Sequence, residues 1–420
     1  LWYQQSGNRR FQEAVFDGID KYDHNHGQAG GRFSGDEHLS GLSPDRGTEL
    51  CAVVEYMYSL EELYAIFGDN RLADRLELLA YNSLPGTTTP DMWAHQYDQQ
   101  SNQVVVNSEK RGWSTNGNFS NIYGLMPNFA CCLANMHQGW PKFVSNLWMS
   151  TNDNGLIAVA YGPSTVKALV GKGQPVEITE ETNYPFDGKI RFRIMSDKPV
   201  RFSFYMRIPG WADTAVISYK DKILYEKGGA TAQIFSRWDP DEVITLELPM
   251  DIRAENRYNN SLSLLRGPLY FSLRIGKEYK SVKINYDNFG YMGSVDWEIN
   301  PLTPWNYGLM TDRNNLKRGI KVISGEPGKY PFADRGDMIW STDSARYLPW
   351  EQDAPVIIKT RGMLIPGWTL KDNSADIPPE SPVKPESSNE IIELVPYGSA
   401  RLRITEFPVI DLSQIMDVIR

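Results

Sequence analysis

Cysteine is scarce in this sequence: three residues in 420, two of them adjacent. An odd count with one neighbouring pair makes a poor disulfide framework, so the sulfurs suit metal or thiol chemistry better. Basic charge is also in short supply, with 43 Lys and Arg against 52 Asp and Glu and a net charge of -9. Together with a pI near 5.3, this argues against a nucleic-acid partner, which needs a concentrated basic face. No apolar run approaches the length of a membrane span. The chain opens at Leu1 without Met, a basic n-region or an apolar h-region, so it shows no targeting segment and nothing in it indicates a compartment. No internal repeat is evident, and no feature fixes an oligomeric state.

What is present describes an ordinary globular protein, with 41% hydrophobic and 23% charged residues. Its length exceeds what one hydrophobic core usually supports, which predicts two or three domains. Aromatic residues make up 12%, including 12 Trp and 22 Tyr. Such side chains stack on the apolar faces of sugar rings, but β-rich proteins bury many aromatics as well, and composition leaves both uses open.

Helical spacing of Val53, Val54, Met57, Leu60, Leu63 and Ile66, closed by Gly68, predicts a helix over 49–66. Asp69 and Asn70 then offer a cap for a second helix through Leu72, Ala73, Leu76, Leu79 and Ala80. A further helix is expected from Cys131 or Cys132 to Met149, kinked or divided at Pro141. Beyond Gly155 the texture changes to short alternating runs, such as Ile190–Ile194, Arg201–Met206, Val243–Leu248, Leu262–Ile275 and Ile391–Ile404. These read as antiparallel strands, too many for one small sheet, and predict two β-sandwich domains. Residues 372–389, rich in Pro, Ser, Asp and Glu, read as a loop or linker. The expected segments are 1–152 (helical), 153–254 and 255–420 (each a β-sandwich). The helical part resembles a piece of an α/α toroid with too few helices to close, so its N-terminal half is expected to lie upstream.

Glu49-Leu-Cys51 and Phe129-Ala-Cys131-Cys132 together contain every cysteine of the chain. Three thiolates and a carboxylate are a tetrahedral zinc donor set, and a sharp backbone turn at a helix start lets adjacent cysteines share one ion. Taken alone, Glu-x-Cys and Cys-Cys are weak motifs, and buried structural thiols account for them about as well.

Three runs, taken with their order and spacing, carry a stronger signal. They are Gly30-Gly31-Arg-Phe-Ser-Gly-Asp36-Glu37-His38, Gly47-Thr48-Glu49-Leu50-Cys51-Ala52 and Asn128-Phe-Ala-Cys131-Cys132-Leu-Ala-Asn135. With Arg207-Ile-Pro-Gly-Trp211, Arg266-Gly-Pro-Leu-Tyr270 and Leu394-Val-Pro-Tyr397, the pattern resembles glycoside hydrolase family 127, the β-L-arabinofuranosidase family, from about residue 20 to about residue 405. The resemblance implies a multidomain α plus β chain: the C-terminal part of an (α/α)6 barrel followed by two antiparallel β-sandwich domains. It further implies a retaining hydrolase of oligosaccharides or glycoconjugates, with Zn2+ held by Glu49, Cys51, Cys131 and Cys132. Cys131 becomes the nucleophile, Glu37 the general acid/base, and Tyr97 a residue near the sugar. His38 is a further candidate for substrate contact. Histidines that meet the sugar in the family fall upstream of Leu1. Leu50, Phe129 and Leu133 stand where the family has Thr, Cys and Pro; these changes alter the pocket wall, so β-L-arabinofuranose is a class label for the substrate.

Each assignment has a plainer rival. Glu37 lies in a polar, Gly-rich loop where most acids are merely solvated. His38, His95 and His137 also fit satisfied structural histidines, and His24 and His26 fit a turn better than a metal pair. Trp113, Trp140 and Trp148 fit helix packing better than a sugar cleft. At the level of the whole chain, the competing readings are a non-catalytic carbohydrate-binding or structural protein tied together by zinc, and an α/α-toroid polysaccharide lyase. The lyase leaves the cysteine cluster unexplained.

Overall fold

The computed structural model describes residues 1–285, 290, 296–313, 315–335, 352–413 and the backbone of 339–340. It is a mixed α/β structure, mostly sheet. Six helices are named in chain order: α1 (Trp2–Ser6), α2 (Arg9–His26), α3 (Leu50–Phe67), α4 (Asn70–Leu78), α5 (Leu84–Gly86) and α6 (Ala130–Ser145).

The helix α3 follows its apolar spacing. Leu50, Val53, Val54, Met57, Leu60 and Tyr64 are buried along one stripe, and each large side chain so removed from water contributes about 1.5–3 kcal/mol. Gly68 ends the helix at φ 62°, where a side chain would be strained. Asp69 caps α4 by accepting a hydrogen bond from the Arg71 N–H. A π-helical turn, Leu79–Ser83, continues it into α5. Helix α6 runs through Pro141 undivided and stops at Ser145, short of the predicted Met149. Trp148–Ser150 instead forms a strand, because it pairs antiparallel with Leu156–Ala158.

A six-stranded antiparallel sheet takes the order Lys222–Lys227, Thr214–Tyr219, Glu242–Glu247, Lys189–Met195, Gln174–Thr182 and Ser164–Val170. A four-stranded sheet places Val200–Arg207 between Thr231–Trp238 and Leu156–Ala158, with Trp148–Ser150 outermost. The inward positions of both sheets feed one core: Phe192 of the larger stands edge-on to Phe204 of the smaller, ring centres 5.2 Å apart. A seven-stranded sheet follows, built on the pairing of Val356–Leu364 with Asn389–Pro396. The predicted run Leu262–Ile275 is a hairpin, Leu262–Arg266 with Leu269–Leu273, turned at Gly267 with φ 56°. Within 372–389 lies the short strand Ser374–Ala375.

Two buried polar assemblies join helices to sheets. Arg207, fully buried, lies 2.7 Å from Glu77 of α4 and also pairs with Asp74, while the Tyr184 hydroxyl donates to Glu77 at 2.6 Å. The second is formed by residues 397–406. Arg403–Ile404 pairs with Asn102–Gln103, the Tyr397 hydroxyl donates to Gln99 Oε1 at 2.7 Å, and Arg401 donates to the carbonyls of Thr88, Phe332 and Gly398. The run His95–Gln103, polar at nearly every position, is buried throughout. Much of the run is satisfied by bonds within it and to the returning C-terminal chain, while the ring nitrogens of His95 and Gln100 Oε1 are buried with no hydrogen-bond partner among the described residues.

Candidate active site

The loop between α2 and α3 carries Glu37. Its first turn approaches α4 closely: Gly30 and Gly31 have φ 89° and 82°, and a Cβ on Gly31 would meet Leu78 Cβ at 2.6 Å. Arg32 locks the loop from inside, donating to Thr48 Oγ1 and Ser101 Oγ at 3.0 Å each. Gly35 then bridges both Leu39 and Thr48, and the Glu49 N–H donates to the Gly35 carbonyl at 2.8 Å. These bonds fasten the exposed tip, Glu37-His38-Leu39, to the strand that ends in Glu49. Glu37 itself has φ 60°.

Thr48–Glu49 pairs antiparallel with Asp98–Gln99, so Glu49 stands across from Asp98 and next to Tyr97. Glu49 is also the N-cap residue of α3 and makes no side-chain cap bond, which leaves its carboxyl for other partners. Cys51 follows in the first turn of α3, and Cys131 and Cys132 occupy the first turn of α6. Two helix starts therefore meet at one point, each favouring negative charge through its unsatisfied N–H groups.

The donor atoms of Glu49, Cys51, Cys131 and Cys132 lie within 4.8 Å of one another. The sulfurs of Cys51 and Cys132 are 3.3 Å apart, far beyond a covalent bond, and all three cysteines are free. Cys131 Sγ lies 4.0 Å from Glu49 Oε1. Burial grades the cluster: Cys132 is buried, Cys51 half-buried and Cys131 exposed. The hydrogen bond from Cys132 lowers the Cys51 thiol to about 6, and giving that bond drives Cys132 far above the usual thiol range. Burial lifts the Glu49 carboxyl to about 8 and the Cys131 thiol to about 11. The strongest influences on all four groups are burial and one another, with no cation among them. Such a set is chemically suited to a divalent metal ion, whose charge offsets what otherwise holds protons on three of the four donors.

Tyr97 joins the cluster to the loop. Fully buried, it stacks on Phe129 at 3.9 Å, beside the start of α6. Its hydroxyl donates to Glu37 Oε1 at 3.0 Å and accepts from Asn116 Nδ2 at 3.2 Å. Behind it, Asp36 and Asp98 are both fully buried; burial raises both carboxyls, and their proximity adds to this for Asp98. Asn116 and this carboxyl pair were not legible as site residues. Asn116 sits in an unpatterned loop, and Asp98 lies in a polar run with no periodicity.

The remaining candidates distribute as follows. His38 is exposed beside Glu37 on the loop tip. His95 is fully buried, and burial lowers its imidazole to about 4. His137 is exposed on α6. His24 and His26 occupy the last turn of α2 and not a free turn, with His26 Nδ1 accepting from the Gly41 N–H. Trp113 is buried with Nε1 donating to Ser374, Trp140 packs on Tyr81 and Phe143, and Trp148 packs on Phe192 and Phe204 from its strand.

Comparison with known proteins agrees with this arrangement. Residues 20–145 match a family model described as β-L-arabinofuranosidase, GH127 catalytic domain, and residues 155–250 match the GH127 middle domain. No curated protein sequence matches. Among solved structures, the chain is similar to a GH127 β-L-arabinofuranosidase from Geobacillus stearothermophilus T6, at 16% identity and TM-score 0.57 over 92% of this chain and 54% of that one. A GH127 β-arabinofuranosidase matches at 14% identity and TM-score 0.62 over 98% and 58%, and a glycoside hydrolase at 16% and 0.58 over 89% and 54%. At these identities the structures speak for the fold, and the chain spans little more than half the length of each. With two family models in sequence order covering just over half of the chain, and the four-donor cluster inside the first, the chain belongs to glycoside hydrolase family 127.

Proposed function

We propose that this chain forms the active site of a retaining glycoside hydrolase that cleaves β-L-arabinofuranoside-like linkages in oligosaccharides or glycoconjugates. In this reading, residues 1–152 are the C-terminal part of an (α/α)6 barrel, and 153–254 and 255–420 are two β-sandwich domains. Glu49, Cys51, Cys131 and Cys132 hold Zn2+, which when bound keeps sulfur ionised at neutral pH. The observation that carries the proposal is the graded exposure of the cluster. A purely structural site is closed, whereas here Cys131 faces solvent while Cys132 is buried.

Cys131 Sγ attacks the anomeric carbon, forming a C–S bond as the glycosidic C–O bond breaks. Glu37, at the exposed tip and tied through Tyr97 to the cluster, gives its proton to the departing oxygen. The resulting glutamate takes a proton from water, the water oxygen attacks the same carbon, and Cys131 leaves as thiolate. His38 faces the sugar from the tip, while Tyr97, expected near the sugar, is fully buried and holds Glu37 from behind. The bonds fastening Gly35 to Thr48 and Glu49 set the spacing between acid and nucleophile.

The test is a pair of variants assayed on methyl β-L-arabinofuranoside, whose alkoxide leaving group needs the acid. Cys131→Ser and Glu37→Gln are each expected to lower kcat/KM by about 100-fold or more, with far-UV circular dichroism unchanged. Wild-type turnover in either variant removes the corresponding role.

A further inference from the structure

We infer that Asn116 is a positioning residue that decides which oxygen of Glu37 does the chemistry, an inference that rests on the hydrolase reading above. A tyrosine hydroxyl has one hydrogen to give and lone pairs to accept with. The Tyr97 ring cannot turn away, since it is fully buried and stacked on Phe129 at 3.9 Å. Its hydroxyl receives Asn116 Nδ2–H at 3.2 Å, and its own hydrogen goes to Glu37 Oε1 at 3.0 Å. Asn116 is itself held in place, its backbone N–H donating to Ser114 Oγ at 3.2 Å. The relay Asn116 to Tyr97 to Glu37 thus runs in one direction.

Oε1 is occupied as an acceptor throughout, so Oε2 carries the mobile proton. In the first half-reaction the O–H bond at Oε2 breaks, and its proton goes to the glycosidic oxygen as that oxygen leaves the anomeric carbon. In the second, Oε2 takes the proton from water while the water oxygen bonds to the same carbon. Neither step moves the Tyr97 hydrogen. Aspartate at 116 has the same shape but accepts where asparagine donates. The Tyr97 hydroxyl then turns its hydrogen toward residue 116 and offers Glu37 a lone pair, which draws the Glu37 proton into the relay and away from the substrate.

The experiment compares Asn116→Asp and Asn116→Ala with wild-type full chain on two probes, methyl and 4-nitrophenyl β-L-arabinofuranoside. The methyl glycoside departs as an alkoxide and needs the acid, while the nitrophenolate leaves nearly unaided. Asn116→Asp is expected to lower kcat/KM on the methyl glycoside by about 10- to 100-fold. On the nitrophenyl glycoside its loss is less than about threefold, and Asn116→Ala falls between wild type and aspartate on the methyl probe. Zinc content and melting temperature stay at wild-type values. Equal losses on both probes, or wild-type kinetics for Asn116→Asp, overturn the inference. If Glu37→Gln and Cys131→Ser turn over normally, the hydrolase reading itself fails, which is a separable result.

Discussion

The chemistry of single residues here is set by what surrounds them more than by type. The chain has five histidines, and His95 is the one whose titration burial dictates most clearly. Its imidazole protonates at about 4 in the fold against 6.5 when exposed, because burial disfavours the cation and His137 adds repulsion. The sign follows directly. Above pH 6.5 both folded and unfolded chains hold the ring neutral; below it the unfolded chain binds the proton first. Stability is therefore lost as pH falls from 6.5 to about 4, at up to about 1.4 kcal/mol per pH unit. Replacing His95 with Gln removes this dependence. The stability difference between wild type and His95→Gln, measured by urea unfolding, is expected to shift in the variant's favour across that window; a difference that stays constant with pH refutes the assignment.

At the scale of elements, the loop leading to Glu37 depends on its close approach to α4. Gly31 combines φ 82° with a neighbour, Leu78 Cβ, that leaves no room for a methyl group. Gly31→Ala is expected to cost about 1–3 kcal/mol in thermal unfolding and to lower kcat by displacing the loop, with bound zinc unchanged. Full activity with an unshifted melting curve would show that the loop position is not set there. The same scale explains what was legible. Helix α3 could be read because its apolar spacing and Gly68 cap are local, and the alternation at Ile190, Phe192 and Ile194 exposed its strand for the same reason. The end of α6 was misread because Phe143, Val144, Leu147, Trp148 and Met149 are apolar at positions that suit either a continuing helix or a crossing into a strand. Only the partner strand Leu156–Ala158, which lies outside that window, decides the matter.

On the scale of the molecule, the donor cluster is the point where α3 and α6 are fastened together. Cys51, Cys131 and Cys132 could be gathered because cysteine is rare in this chain, and the family resemblance assigned Glu49 beside them. The sequence pattern was not enough to find Asn116 or the buried run His95–Gln103, whose burial depends on contacts some 300 residues away. Because a bound ion would tie two helix starts that are remote in sequence, its removal is expected to lower the melting temperature of the whole chain by several degrees. Scanning calorimetry after chelation, with metal loss verified by emission spectroscopy, checks this. An unmoved transition would mean that the helices hold without the ion.

The return of residues 397–406 beneath the strand bearing Asp98 and Gln99 also governs the order of assembly. A ribosome emits the cluster's four donors, Glu49 to Cys132, well before it reaches Tyr397. The tyrosine and arginines that occupy the slot under them are made much later than the donors. Until then Gln99 Oε1, Asn102 Oδ1 and the Thr88 carbonyl lack the partners that residues 397–406 bring, so the floor of the nascent helical part stays wet there. The floor of the centre can close only once residues 397–406 have been made.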